Sequence, residues 1–462
     1  MVDATTTLSR PEADRIPAAP RSSMRLRNIE LGLLLLALAV AAGAIVLVQL
    51  GALGRIDPDV VKLAGGVGVL VLALHLVLRI IARDADPFIL PIATAVNGLG
   101  IAEIYRIDIS PLGLRKHLDD GTHQILWTAV GIGAAVLVLF LVRNHRMLQR
   151  YTYIAMLASI VLLLLPLVPG LRLPGAAAYV WVHVGPLNFQ PGEIAKITLA
   201  IFFAGFLVAR RDSLAMVGRR VLFVQLPRAR DLGPILVVWI LALGVIVGEH
   251  DLGTGLLLFG MFVAMLYVAT GRTSWIVLGL LLAALGAYAA SRILSYVQGR
   301  ITNWLDAFDP KLYDASGGSF QVVNGVFGLA HGGLFGTGLG QGRPDITPAA
   351  SSDFIVASLG EELGLVGVFA ILCLYLLFVS RGFRIGYSGP DDFGKLLAVG
   401  LAFVVALQCF IVVGGVMRVI PNTGLTTPFL AAGGSSLVAN WMIAALLLRI
   451  SDTIRSGPRT VI

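Results

Sequence analysis

Carboxylates and cations gather in one stretch of this chain, Arg300 to Gly364, where Asp306, Asp309 and Asp314 alternate with Arg300, Lys311 and Arg343. A carboxylate within hydrogen-bond reach of a hydroxyl can take its proton as the oxygen attacks. Only 13% of the residues are charged, so this concentration needs a reason. Long polar loops between apolar segments are as a rule either functional or disordered. Trp304, Phe308, Tyr313, Phe320 and Phe335 thread through this one, and disordered loops are poor in aromatics. The stretch therefore reads as an ordered loop that carries the chemistry.

Other charged groups sit at the edges of apolar runs. Glu193 and Lys196 are spaced i,i+3 and share a helix face. They read either as a self-neutralised ion pair or, the favoured reading, as a cation held ready for an anionic ligand. Asp251, ahead of Leu252-Gly253-Thr254, is either a turn residue capping a helix or a carboxylate facing a cavity. Asp353 opens an apolar run and has the same two readings. Glu361 and Glu362 lie inside that run, where adjacent carboxylates need a cation, a polar cavity or protonation. The segment from Ile420 to Ser436, rich in Pro and Gly, reads as irregular backbone folded into the membrane and lining a cavity. His250 and His331 lack metal-ligand spacing and read as structural. Gly336-Thr337-Gly338-Leu339-Gly340 follows no strand, so it is a weak phosphate-loop signal.

The elements that must hold these groups are membrane helices. Of 462 residues, 57% are hydrophobic, and mean hydropathy is +0.87. That composition excludes an ordinary soluble domain. The net charge of +8 lies in short arginine clusters between apolar runs, a pattern of membrane orientation and not of nucleic-acid binding. Cys373 and Cys409 fall inside apolar runs and read as core residues.

By the rule of about 20 apolar residues per span, about twelve candidates emerge, giving an all-α polytopic membrane protein. They lie at about 29–50, 60–82, 87–105, 124–142, 152–168, 192–209, 233–249, 253–270, 274–292, 354–380, 395–417 and 434–450. Residues 1–28, rich in Ala, Pro, Ser, Thr and Arg, read as a disordered tail, and 451–462 as a second, short tail. Arg25 and Arg27, then Arg143, Arg146 and Arg150, Arg210 and Arg211, Arg381 and Arg384, and Arg455 all fall on one set of connections. The positive-inside rule puts these, with both termini, in the cytoplasm and the loop of residues 292–353, between the ninth and tenth spans, outside.

Taken in order, the polar motifs resemble the SEDS family (RodA, FtsW, SpoVE). The carrying residues are Trp181 with Phe189-Gln190-Pro191-Gly192-Glu193-Ile194-Ala195-Lys196; Asp251-Leu252-Gly253-Thr254; Arg300 with Trp304-Leu305-Asp306; and Asp314 through Phe320-Gln321. Gly332 through Gly340, Asp353-Phe354-Ile355 with Glu361-Glu362-Leu363-Gly364, and Pro421 through Ser436 complete the series. The resemblance spans residues 85–450, leaving 29–82 as two extra N-terminal helices before a ten-helix core. It is closest to the RodA branch, of actinobacterial type.

This resemblance implies a peptidoglycan glycosyltransferase that polymerises lipid II at the outer face of the bacterial plasma membrane during elongation. It implies a class B penicillin-binding protein as partner. Alternatives are a lipid II flippase and a division-specific, FtsW-like polymerase. By the same resemblance Asp314 is the catalytic base, with Asp309, which precedes Pro310, as its rival. Lys196, Arg300, Glu193, Trp181 and Gln321 bind substrate, while Asp251, Asp353, Glu361 and Glu362 shape the cavity or hold a cation. No cofactor is certain. A divalent cation, Mg or Mn, is the one candidate.

Overall fold

The computed structural model describes residues 23–172, 178–184, 187–214, 220–221, 224–225 and 232–456. All the long elements among them are helices: α1 (Ser23–Leu53), α2 (Pro58–Ile81), α3 (Ile89–Asp108), α5 (Asp120–Leu141), α6 (Thr152–Leu164), α7 (Pro191–Leu214), α8 (Gly233–Glu249), α9 (Leu252–Thr270), α10 (Ser274–Ile293), α14 (Ile355–Ser388), α15 (Asp392–Val416) and α16 (Gly434–Arg455). A short helix, α4 (Pro111–Lys116), joins α3 to α5. Each expected span falls on one of the long helices. Among the described residues, 10 helices are long and apolar enough to cross a membrane; α6 qualifies together with the turns that flank it. The remaining two are α8, which has 17 residues, and α3, which carries Glu103, Arg106 and Asp108.

Local chemistry sets the helix starts. Asp57 accepts from the Asp59 amide ahead of Pro58, and Asp391 accepts from the Gly394 amide at 3.0 Å. The N-terminal cytoplasmic tail expected over 1–28 is corrected at its near end: helix α1 already includes residues 23–28, and residues 1–22 lie outside the described residues. Likewise α16 runs through Arg455, so the tail expected from 451 begins later; 457–462 lie outside the described residues.

Helices α15 and α16 form the centre, with 78% of their most apolar windows buried, against 17% for α2. Helix α1 packs closely along α3, where a side chain on Gly98 would meet Ala41 Cβ at 2.3 Å. One end of the bundle is stapled by charge. Arg27 pairs with Glu30 at 2.6 Å and donates to the Ala85 carbonyl, His75 lies 2.6 Å from Glu30, and Arg381 and Arg455 both pair with Asp86. The start of α1 and the end of α16 therefore meet at the same end.

The loop after α10 is ordered, as expected. It folds into α11 (Ser295–Leu305), the single turn α12 (Pro310–Tyr313) and α13 (Phe320–Gly332). Gly364 then breaks α14 with φ 70° and ψ −175°. The break admits the chain at 333–338: Leu365 donates to the Gly333 carbonyl at 3.0 Å and Val366 to that of Leu334 at 3.1 Å.

Candidate active site

Three contiguous cavities run along the end of the bundle opposite the arginine staple. The largest, about 780 Å3, is walled by α11, α12 and the start of α13, and by the irregular segment after α15. Asp314, Gln321, Arg300 and Asp353 all line it. A second cavity, about 220 Å3, shares Arg300, Asp353 and Gly424 with the first and adds Trp181, Glu193 and Asp251. A third, about 370 Å3, shares Trp181, Ala432 and Gly433 with the second.

Arg300 is the hinge of this arrangement. It projects from α11, and its Nη1 donates to the Asn422 carbonyl at 3.2 Å. At Gly424 (φ 79°), a Cβ would lie 3.5 Å from Arg300 Nη2 and 3.7 Å from Asp353 Oδ2. The cation and the carboxylate thus converge on Gly424, where the positive φ favours glycine. Asp353 is not the helix cap that sequence allowed, since Phe354 holds that position. Burial pushes the Asp353 carboxyl up to about 6, against the opposing pull of the Arg300 cation.

Asp251 combines both of its readings. It caps α9, accepting from the Thr254 amide at 2.9 Å and from its hydroxyl at 2.6 Å, and it also lines the second cavity. Burial raises its carboxyl, and the two Thr254 bonds counter this. His250 next to it sits between the Tyr179 and Tyr296 rings, at 4.7 and 5.0 Å, in keeping with a structural role.

Asp314 and Asp309 differ plainly. Asp309 is the N-cap of α12, accepting from the Lys311 amide at 2.9 Å, and it is not among the cavity-lining residues. Asp314 ends that turn, is exposed, and faces the largest cavity. Gln321 holds the rim through its bond to the Pro348 carbonyl at 3.1 Å.

Three expected groups lie elsewhere than on the cavity wall. Lys196 is buried against Glu193 at 2.5 Å and Gln408 at 2.9 Å, so the ion-pair reading describes its geometry and only Glu193 reaches the cavity. Glu362 binds Arg106 at 2.9 Å and the amides of Gly340 and Gly342 at 2.8 and 3.2 Å. Glu361 accepts from the Arg343 amide at 2.9 Å, with His331 Nδ1 at 3.1 Å. Both glutamates thus clamp the 336–343 loop and do not line the cavity. That clamp also uses the amides of Thr337 and Gly338, which donate to the carbonyls of Glu361 and Glu362, so the glycine run is no phosphate cradle.

No group of three or more His, Cys, Asp or Glu positioned to hold a metal ion occurs among the described residues. Asp120, His123 and Trp127 in the third cavity escaped the sequence reading. Their signal was present: positions i, i+3 and i+7 at the start of an apolar helix share one face. Arg106, inside α3, could have been flagged as an ionisable residue at membrane depth.

The comparisons with known proteins bear on this geometry. The sequence pattern of the cell cycle protein family FtsW/RodA/SpoVE matches residues 89–456. This chain belongs to that family. The match covers the long helices from α3 to α16 and the whole loop bearing Asp314, and starts after α1 and α2. Family relatives include the peptidoglycan glycosyltransferase RodA of Mycobacterium tuberculosis, 43% identical over 99% of this chain and 96% of its own length. A probable peptidoglycan glycosyltransferase FtsW from a Geobacter species is 30% identical, over 80% of this chain and 98% of its own. Among solved structures, a chain described under the structural coordination of polymerization and crosslinking by a peptidoglycan synthase complex aligns with TM-score 0.59. It is 25% identical and covers 79% of this chain and 97% of its own. The rod shape determining protein RodA of Thermus thermophilus, at 24% identity and TM-score 0.53 over 79% of this chain and 96% of its own, shares the fold.

Proposed function

We propose that this family member is a peptidoglycan glycosyltransferase that polymerises lipid II, with Asp314 as its general base. The observation that carries the assignment is that Asp314, Arg300 and Asp353 wall one cavity while Asp309 is spent on capping α12. In the reaction a hydroxyl of the acceptor sugar forms a new bond to the anomeric carbon of the donor. Asp314 takes the hydroxyl proton, and the bond from that carbon to the polyprenyl diphosphate oxygen breaks. Displacement in one step inverts the anomeric centre. Arg300, held beside Gly424, faces the developing diphosphate charge.

The lipid tail has a path. An apolar cavity of about 210 Å3 between α8, α9 and α10 is lined by Trp239, Phe259, Ala287 and Ile301, and it shares Thr423 with the second polar cavity. A diphosphate at Arg300 can thus sit at the polar end of a hydrocarbon slot. Trp181 and Gln321 contact the sugars or peptide at either end of the groove. Lys196 acts through Glu193 and Gln408. A divalent cation, Mg or Mn, would enter with the diphosphate, since Mg can be held by one or two carboxylates plus phosphate oxygens. No step here depends on it.

The cavities open at the end opposite the arginine-rich staple, which supports an outer site and cytoplasmic termini in the plasma membrane. Greater identity to RodA than to FtsW relatives supports a role in elongation. The partner proposed is a class B penicillin-binding protein, in line with the synthase complex among the structural relatives.

The test is purified protein, alone and with the cognate transpeptidase, incubated with lipid II and resolved as glycan strands on a gel. Polymer from wild type and Asp309→Ala, with none from correctly folded Asp314→Ala, is expected. Loss only in Asp309→Ala overturns the choice of base. Lipid II scrambling in proteoliposomes without polymer overturns the activity in favour of the flippase.

A further inference from the structure

The third cavity of the polar groove, about 370 Å3, carries chemistry that the transfer of the sugar leaves unused. Asp120, His123 and Trp127 line it from one face of α5, together with Asn188 and with Trp181, which it shares with the second cavity. None of these five residues is buried, so a ligand in the cavity can reach them. Arg300 lines the first and second cavities, but no Lys or Arg lines the third. Its carboxylate, Asp120, accepts from the Ser351 hydroxyl and has no Lys or Arg partner among the described residues. The groove is therefore positive at Arg300 and negative at Asp120. A second diphosphate would be repelled at Asp120. A carboxylate with two indoles in the same wall suits a cation, because an indole face attracts an ammonium.

These groups are held in place and tied to the reacting end of the groove. A side chain on Gly434 would fall 2.3 Å from Trp127 Cδ2, so the indole lies against the start of α16. Gln124 Nε2 donates to the Ala431 carbonyl at 3.0 Å, which locks the same turn of α5 to the irregular segment. Ser351 Oγ donates to Asp120 Oδ2 at 3.2 Å, and the Ser351 carbonyl accepts from the Ala432 amide at 2.8 Å. Ser351 stands two residues before Asp353, whose carboxylate converges with Arg300 at Gly424. Two residues of chain span at most about 7 Å. One substrate molecule bearing an anionic and a cationic group can thus reach both Arg300 and Asp120.

We propose that the third cavity binds a primary ammonium on the peptide of lipid II. The inference rests on the glycosyltransferase reading and deepens it. A substrate whose peptides a transpeptidase later joins must carry a free amine, since that amine is the nucleophile of the new amide bond. An alkylamine of this kind is protonated at neutral pH. Asp120 takes its charge, and the Trp127 and Trp181 rings flank it. Arg300 and Asp120 then read opposite charges on one substrate and fix its direction along the groove.

The test uses full-length protein in nanodiscs and two lipid II preparations whose peptide carries lysine, with the side-chain amine free in one and acetylated in the other. Binding is read by displacement of a fluorescent lipid II, and polymer is read on a gel. Acetylation should weaken binding to wild type about tenfold and raise KM to match, with kcat unchanged. Asp120→Asn keeps an acceptor for the Ser351 hydroxyl and should bind both preparations alike, at the weaker level. Equal binding of the two by wild type overturns the proposal without recourse to any variant and leaves the cavity to an uncharged sugar. Discrimination that persists in Asp120→Asn overturns it as well, since bulk and not charge would then be read. Discrimination in binding with no polymer from either preparation sinks the glycosyltransferase reading and leaves the ammonium site standing.

Discussion

Lys196 Nζ donates to Gln408 Oε1 at 2.9 Å, and Gln408 Nε2 carries the link on to the Thr426 carbonyl at 2.8 Å. A buried cation thereby positions the irregular segment that lines the polar groove, without touching the groove itself.

This predicts how Lys196 variants fail. Lys196→Met leaves Glu193 buried and unpaired, which should cost about 3–5 kcal/mol. Thermal unfolding in detergent should show it as a marked fall in Tm. Adding Glu193→Gln should restore most of the stability and part of the polymerase activity. If the double variant were stable yet showed a greatly raised KM for lipid II, Lys196 would be a direct diphosphate ligand instead.

Asp353 predicts a pH effect on binding. Its carboxyl sits at about 6, raised by burial from an ordinary 3.8. Below that value it is neutral and leaves Arg300 unopposed for an incoming diphosphate; above it, the carboxylate competes. KM should therefore rise as pH climbs through about 6. Asp353→Asn should hold KM low across that range. Because the folded state binds this proton more tightly than the unfolded chain, the same group lowers stability as pH rises from about 4 to about 6. A flat KM profile in wild type would remove Asp353 from diphosphate recognition.

The two adjacent glutamates should behave as a loop clamp. Glu362→Gln weakens the hold on Arg106 and on the amides of Gly340 and Gly342, and should cost about 3 kcal/mol. Any Mg or Mn concentration dependence of polymer formation should keep its midpoint in Glu361→Gln. A shift of tenfold or more in that midpoint would instead make Glu361 an ion ligand.

Gly364→Ala should be among the most damaging single-methyl changes. The backbone there has φ 70°, and the added carbon would fall 2.3 Å from the Gly336 amide nitrogen. Strain of about 1–3 kcal/mol arises from the backbone alone, and the clash adds to it. Protease cleavage near residues 333–338 is the direct readout, and unchanged protection there would refute the close-packed break.

The sequence by itself determined the helices, because a spanning segment must be apolar over a length fixed by the bilayer, and that length is read by counting. It determined the family too, since Trp181, Glu193, Asp251, Arg300, Asp314 and Asp353 keep their order along the chain. Tertiary structure decided what each charged residue touches. Asp309 and Asp314 look alike in sequence, yet one amide at Lys311 occupies the first while the second faces the cavity. Glu361 and Glu362 read as cavity walls until the break at Gly364 brought the 336–343 loop onto them. Lys196 read as an open cation until Gln408, 212 positions away, took its free donor. Hydropathy is a property of neighbours in sequence, whereas the partner of a buried charge is a neighbour in space, and only the packed helices supply it.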